Sequence, residues 1–108
     1  MSLEITPVEL RTRFQNGENI VVLDCRTNAE REIACIEHSI HTPFGELQSM
    51  LQELLEHAEK TVVVHCHHGM RSLQATNYLR EEGFTKAFSL AGGIDRWALE
   101  IDTSIPRY

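Results

Sequence analysis

The chain has 108 residues, 42% hydrophobic and 24% charged, which suits one compact domain over residues 1–108 with an ordinary buried core. Its formal net charge of −6 sets the whole chain against nucleic acid and anionic membranes, so only a local basic pocket is expected. Met1-Ser2-Leu3-Glu4-Ile5 has neither the basic start nor the apolar run of a secretory signal, no stretch reaches membrane-spanning length, and the cysteines Cys25, Cys35 and Cys66 are odd in number. A cytoplasmic setting with a free thiol is therefore expected.

In chain order, residues 3–5 are expected as a short edge strand. Thr6-Pro7-Val8-Glu9 then has the form of a capped helix start, with Leu10 and Phe14 on one face and Gly17 ending it. Ile20 to Leu23 reads as a buried strand that sets Asp24, Cys25 and Arg26 at its carboxyl end, where open parallel sheets bind ligands. Asp24 and Arg26 fit two roles, an ion pair that closes the strand or support behind a site. Residues 28–35 suit a short helix and Ile40 to Thr42 a short strand before Pro43. Leu47, Met50, Leu51, Leu54 and Leu55 recur on one helical face and are expected in the core.

The run Thr61-Val62-Val63-Val64 predicts a strand buried on both faces, with Cys66 at its carboxyl end. Ser72 is expected to open a helix through Leu73, Thr76 and Leu79, stopped by Glu81-Glu82-Gly83. Ala87 to Leu90 reads as the last strand, Gly92-Gly93 as a turn, and Ile94, Trp97, Ala98 and Ile101 as the apolar face of a closing helix, with Trp97 a core anchor. The tail through Pro106-Arg107-Tyr108 carries no signal. Strands alternating with helices give an α/β fold, a mainly parallel sheet with helices on both faces.

The strand, tight loop and helix around Cys66 carry the chemistry. The first amides of a helix lack intrahelical partners and the helix dipole makes them positive, so a thiolate at this place has a lowered pKa. Gly69 allows backbone angles that turn successive N–H groups inward, and Arg71 adds a permanently charged donor fork. Residues 61–80 hold His65, His67, His68, Arg71 and Arg80 and no Asp or Glu, in keeping with an anion site in an acidic chain.

The six-residue loop Cys66-His67-His68-Gly69-Met70-Arg71 resembles the catalytic loop of the rhodanese family. The resemblance continues in Leu23-Asp24-Cys25-Arg26, in Glu30 and Pro43, and in Leu90-Ala91-Gly92-Gly93-Ile94 with Trp97. Where the family usually has an aromatic residue and then Gly-His-Ile-x-Gly-Ala, this chain has Arg31 and then Ala34-Cys35-Ile36-Glu37-His38-Ser39, so a different local backbone is expected there.

The resemblance implies a single-domain rhodanese of three layers, with helices on both faces of a mainly parallel five-stranded sheet. It further implies a sulfurtransferase that takes sulfane sulfur from thiosulfate or a persulfide donor and passes it to cyanide, a thiol or a protein through a persulfide on Cys66. His67, His68, Gly69, Met70 and Arg71 would bind the donor and the persulfide, Asp24, Arg26 and Ser72 would support them, and no cofactor is called for.

Cysteine-dependent phosphatases place five residues between cysteine and arginine. Here four separate Cys66 from Arg71, which makes phosphatase or arsenate reductase activity the alternative. A non-catalytic persulfide carrier or interaction module is another. A metal site is not expected, because Cys35, His38 and His41, or His65 to His68, lack zinc-site spacing. Cys25 is expected in the core and Cys35 to be incidental. Either could resolve a persulfide as a disulfide if it lay near Cys66.

Overall fold

A computed structural model describes residues 3–108. The strands are β1 (Glu4–Ile5), β2 (Ile20–Asp24), β3 (Ile40–His41), β4 (Thr61–His65) and β5 (Ala87–Leu90). The α-helices are α1 (Pro7–Gln15), α2 (Asn28–Ile33), α3 (Leu47–Leu54), α4 (Met70–Glu81) and α5 (Gly93–Glu100). Short 3-10 turns cover Phe44–Glu46 and Leu55–His57.

The strands form one sheet in the order β1-β5-β4-β2-β3, and every neighbouring pair is parallel. β4 lies at the centre with all five residues buried, which is why it reads as an unbroken apolar run. Its register with β2 pairs Val64 with Leu23 and His65 with Asp24. The two segments therefore leave the sheet side by side.

Side chains alternate between two cores. Leu23, Val62 and Val64 pack with Leu47 and Leu54 of α3 and Ala75 and Leu79 of α4. Val63 and Leu90 pack on the other face with Leu10 of α1 and Ile94 and Trp97 of α5. The α/β fold with helices on both faces is as expected, and Trp97 lies in the core.

Some boundaries differ from expectation. α4 opens at Met70 rather than Ser72, because Gly69 serves as its N-cap with φ of 107°. Leu55 is exposed, since the chain leaves the α-helix after Leu54 and enters a 3-10 turn that rotates it out of the apolar stripe. Phe14 is likewise exposed while Leu10 is fully buried.

Both capping boxes are formed, Thr6 with Glu9 at α1 and Thr27 with Glu30 at α2. Among the described residues, no helix is long and apolar enough to cross a membrane.

Candidate active site

Cys66 follows directly on β4 and is buried. Its Sγ accepts hydrogen bonds from the Gly69 amide at 3.0 Å and the Ser72 amide at 3.4 Å. A Cys66 thiol donates to Ser72 Oγ at 3.4 Å, and the hydroxyl reverses as donor when the sulfur is ionised. Ser72 Oγ is held in turn by Ser89 Oγ at 2.7 Å, a residue of β5.

The loop is fastened from outside by the start of α5. Ile94 N–H donates to the Cys66 carbonyl at 2.9 Å and Asp95 N–H to the His67 carbonyl at 3.2 Å. A side chain on Gly93 would collide with both carbonyls, so glycine is required where α5 meets the loop. Among the described residues, none accepts a hydrogen bond from the amides of His67, His68, Met70 or Arg71. The loop thus spends its carbonyls on α5 and keeps amides uncommitted.

The Cys66 thiol is held well below the ordinary thiol range. The neighbouring Cys25 thiol has the largest influence, outweighing burial, and the Ser72 hydroxyl with the two amides adds to it. Cys25 is pushed the other way by its contact with Cys66 and by burial. The two shifts favour the negative charge on Cys66 over Cys25.

Arg71 is engaged. It forms a two-pronged pair with Glu30, Nη1 to Oε1 at 2.7 Å and Nη2 to Oε2 at 2.9 Å. Tyr108 hydroxyl donates to Glu30 Oε2 at 2.8 Å and accepts from Arg26 Nη1 at 3.0 Å. The Tyr108 ring stacks on His67, centroids 3.9 Å apart, and His67 stacks on His68 at the same distance. Glu30 and Tyr108, which sequence analysis left without a role, thus join His67 and His68 in the rim of the site.

His67 is half-buried with Nε2 enclosed and unpartnered. His68 is exposed, with Nε2 at 3.9 Å from Asp95. Among the described residues, the donors gathered closely enough for a metal are His67, His68 and Asp95, within 4.8 Å of one another, rather than Cys35, His38 and His41. Asp95, however, is already paired with Arg107 at 2.9 Å.

Asp24 and Arg26 are fully buried beneath this rim. Arg26 Nε and Nη2 donate to the two carboxylate oxygens at 2.9 and 2.8 Å. Burial pushes the Asp24 carboxyl up, but the Arg26 hydrogen bonds and the facing His65 bring it down to about 2. His65 itself is brought down to about 4, chiefly by burial, and is neutral near neutral pH.

Arg26 also reaches the Ala34 carbonyl, and Arg31 bonds Asp24 Oδ2 at 3.0 Å, Ser39 Oγ at 2.9 Å and the Ser39 carbonyl at 2.8 Å. This network supports the 31–39 segment. Within it His38 has φ of 65°, the left-handed region that glycine occupies without cost.

The structure brings Cys66, Gly69, Arg71 and Ser72 together, sets His67 and His68 on the rim, and leaves the Met70 side chain in solvent at 74% exposure. Asp24 and Arg26 make no contact with Sγ. Sequence analysis missed Glu30 as the partner of Arg71, although its capping position was visible, and it missed Ser89 and Tyr108. The last lies 78 residues from Glu30 and no local pattern signals that contact. A cleft of about 510 Å³ lined by Phe14, Val22, Cys35, Ile36 and Trp97 is not lined by Cys66.

The chain resembles known proteins along nearly all of its length. The Rhodanese-like domain family matches residues 6–100. A sulfurtransferase of Allochromatium vinosum is 32% identical over 88% of this chain and 87% of its own. The adenylyltransferase and sulfurtransferase MOCS3 of Arabidopsis thaliana is 30% identical over 96% of this chain, which spans about a quarter of that relative's length. The crystal structure of a rhodanese-related protein from Thermoplasma volcanium superposes with a TM-score of 0.80 at 30% identity, covering 91% of this chain and 92% of that one. With its parallel sheet, its cysteine loop and a match over nearly all of its length, the chain belongs to the rhodanese-like domain family.

Proposed function

We propose that residues 1–108 act as one sulfurtransferase domain with Cys66 as the nucleophile. The observation that carries this is a cysteine sulfur that accepts two backbone amides in a loop whose remaining amides are uncommitted. Cys66 thiolate attacks the outer sulfur of a small anionic donor such as thiosulfate. The bond between the donor's two sulfurs breaks, sulfite leaves with the electron pair, and Cys66 carries a persulfide.

The negative terminal sulfur then rests against the amides of His67, His68, Met70 and Arg71, which Gly69 turns inward. A nucleophilic acceptor, cyanide or a thiol, attacks that sulfur and releases the Cys66 thiolate. No cofactor enters the route.

Ser72 lowers the thiol pKa and fixes Sγ, while His67 and His68 draw in the anionic donor. Arg71 contributes through its Glu30 pair by shaping the loop and partly offsetting its charge. Asp24 and Arg26 hold the rim from below. A protein donor or acceptor is supported by the resemblance to MOCS3, a longer protein whose name joins a sulfurtransferase to an adenylyltransferase. A cytoplasmic setting suits the reactive thiol.

Intact mass of the protein before and after thiosulfate, and again after cyanide, tests this. One sulfur gained, removed by cyanide and absent from Cys66→Ser is the expected result. No gain, together with hydrolysis of an aryl phosphate, would replace this function with that of a phosphatase.

A further inference from the structure

Cys25 is a thiol beside Cys66 to which the transfer route makes no bond. β2 and β4 are adjacent and parallel, with Asp24 opposite His65, and Cys25 N–H continues the ladder to the His65 carbonyl at 3.1 Å. The next residue on each chain is a cysteine. Both belong to the core cluster that contains Leu23 and Val64, so their side chains leave the same face of the sheet.

Neighbouring strands run about 4.8 Å apart, inside the range of about 4.4–6.8 Å between Cα atoms that a disulfide spans. Neither thiol is shielded from the other by an intervening residue of the ladder. Both are buried, so small solvent thiols have poor access to Cys25.

We infer that Cys25 resolves the Cys66 persulfide from within, forming a Cys25–Cys66 disulfide and expelling hydrosulfide when no external acceptor arrives. This rests on the sulfurtransferase function proposed above and adds a second outcome to it. The Cys25 proton passes to the terminal sulfur of the persulfide, and the Cys25 thiolate attacks the inner sulfur, Cys66 Sγ. The bond between Sγ and the terminal sulfur breaks, and that sulfur leaves with the electron pair as HS⁻.

The two cysteines lose one electron each and the sulfane sulfur gains both, so no outside oxidant is needed. A cellular dithiol reductant restores the free pair. A loaded domain without an acceptor thus releases its sulfur as sulfide and locks its own nucleophile.

Before Cys66 is loaded, Cys25 stays protonated against the neighbouring thiolate. Loading moves the negative charge one bond outward, to the terminal sulfur. The terminal sulfur can then take the Cys25 proton, so the attack follows loading rather than preceding it.

The test loads the full chain with thiosulfate, removes excess donor and follows it under acid quench by intact mass, peptide mapping and sulfide release. Wild type should lose the added sulfur, end a pair of hydrogens lighter than the reduced protein, release one sulfide per disulfide formed and show a Cys25–Cys66 cross-linked peptide. Cys25→Ser, whose hydroxyl can still donate to Sγ, should load more slowly but, once loaded to completion, keep its persulfide, with sulfide release lost. Cys35→Ser should behave as wild type, because Cys35 lines the separate cleft.

A persulfide that persists equally in wild type and Cys25→Ser, without sulfide, would overturn this inference alone. Failure of both proteins to load sulfur would overturn the sulfurtransferase function and this inference with it. Should Cys25→Ser fold poorly, Cys25→Ala loaded to completion is compared by the fraction of its persulfide that it keeps.

Discussion

Cys66 owes its reactivity to a handful of neighbours, which makes the charge state of one sulfur a measurable consequence of the fold. Its folded pKa lies below the ordinary thiol value of about 8.5, so the thiolate is the main form at neutral pH and is lost only as the pH falls through that depressed value. Alkylation by iodoacetamide should therefore change little from about pH 8 to about pH 6, where an ordinary thiol slows about a hundredfold. A rate that falls tenfold per pH unit over this range would show an unperturbed thiol.

The same depression contributes to stability. It is fully present above the unfolded-state thiol pKa and lost as the pH falls through the folded one. This much was legible in the sequence, because strand, glycine and helix start coincide at Cys66. The lowering by Cys25 was not, since it depends on which strand lies beside β4. Arg31 and His38 were legible only as departures. Their reasons lie in the bonds of Arg31 to Asp24 and Ser39 and in the left-handed backbone at 38.

At the scale of elements, the loop is defined as much by α5 as by α4. Gly93 sits where any Cβ would strike the Cys66 and His67 carbonyls, and its φ of 62° adds a backbone cost. Gly93→Ala should destabilise the fold by about 2 kcal/mol or more and displace the loop. Thermal unfolding and the iodoacetamide rate check this. An unchanged melting temperature with unchanged reactivity would show that α5 does not set the loop. Gly92-Gly93 was legible as a turn, but its role as the seat of the cysteine loop was not, because the two segments are far apart in sequence. The position of α4 was misjudged by two residues for a local reason, since the apolar spacing that marked it begins after its glycine cap.

At the scale of the whole molecule, the rim is closed by a residue from the tail that carried no sequence signal. Tyr108 joins Arg26 to Glu30 through its hydroxyl and covers His67 with its ring. Tyr108→Phe keeps the stack and loses the bridge, so it should cost about 1 kcal/mol and lower the melting temperature by about 4–8 °C. A melting temperature equal to wild type would show the bridge to be idle. The layered α/β plan was legible because β4 and β2 are buried on both faces and the helices carry apolar stripes. The strand order rested on the family resemblance, since periodicity within an element cannot report which elements adjoin.

The parallel pairing of β2 with β4 has one more consequence. Nothing within the segment around Cys66 supplies the contribution of Cys25, and the loop amides converge on Sγ only once the sheet and α5 are in place. An unfolded or partly synthesised chain therefore carries Cys66 as a common, mostly protonated thiol. The lowered thiol pKa arises with assembly, so the rate at which Cys66 is alkylated in mildly acidic solution measures the fraction of chains that are folded.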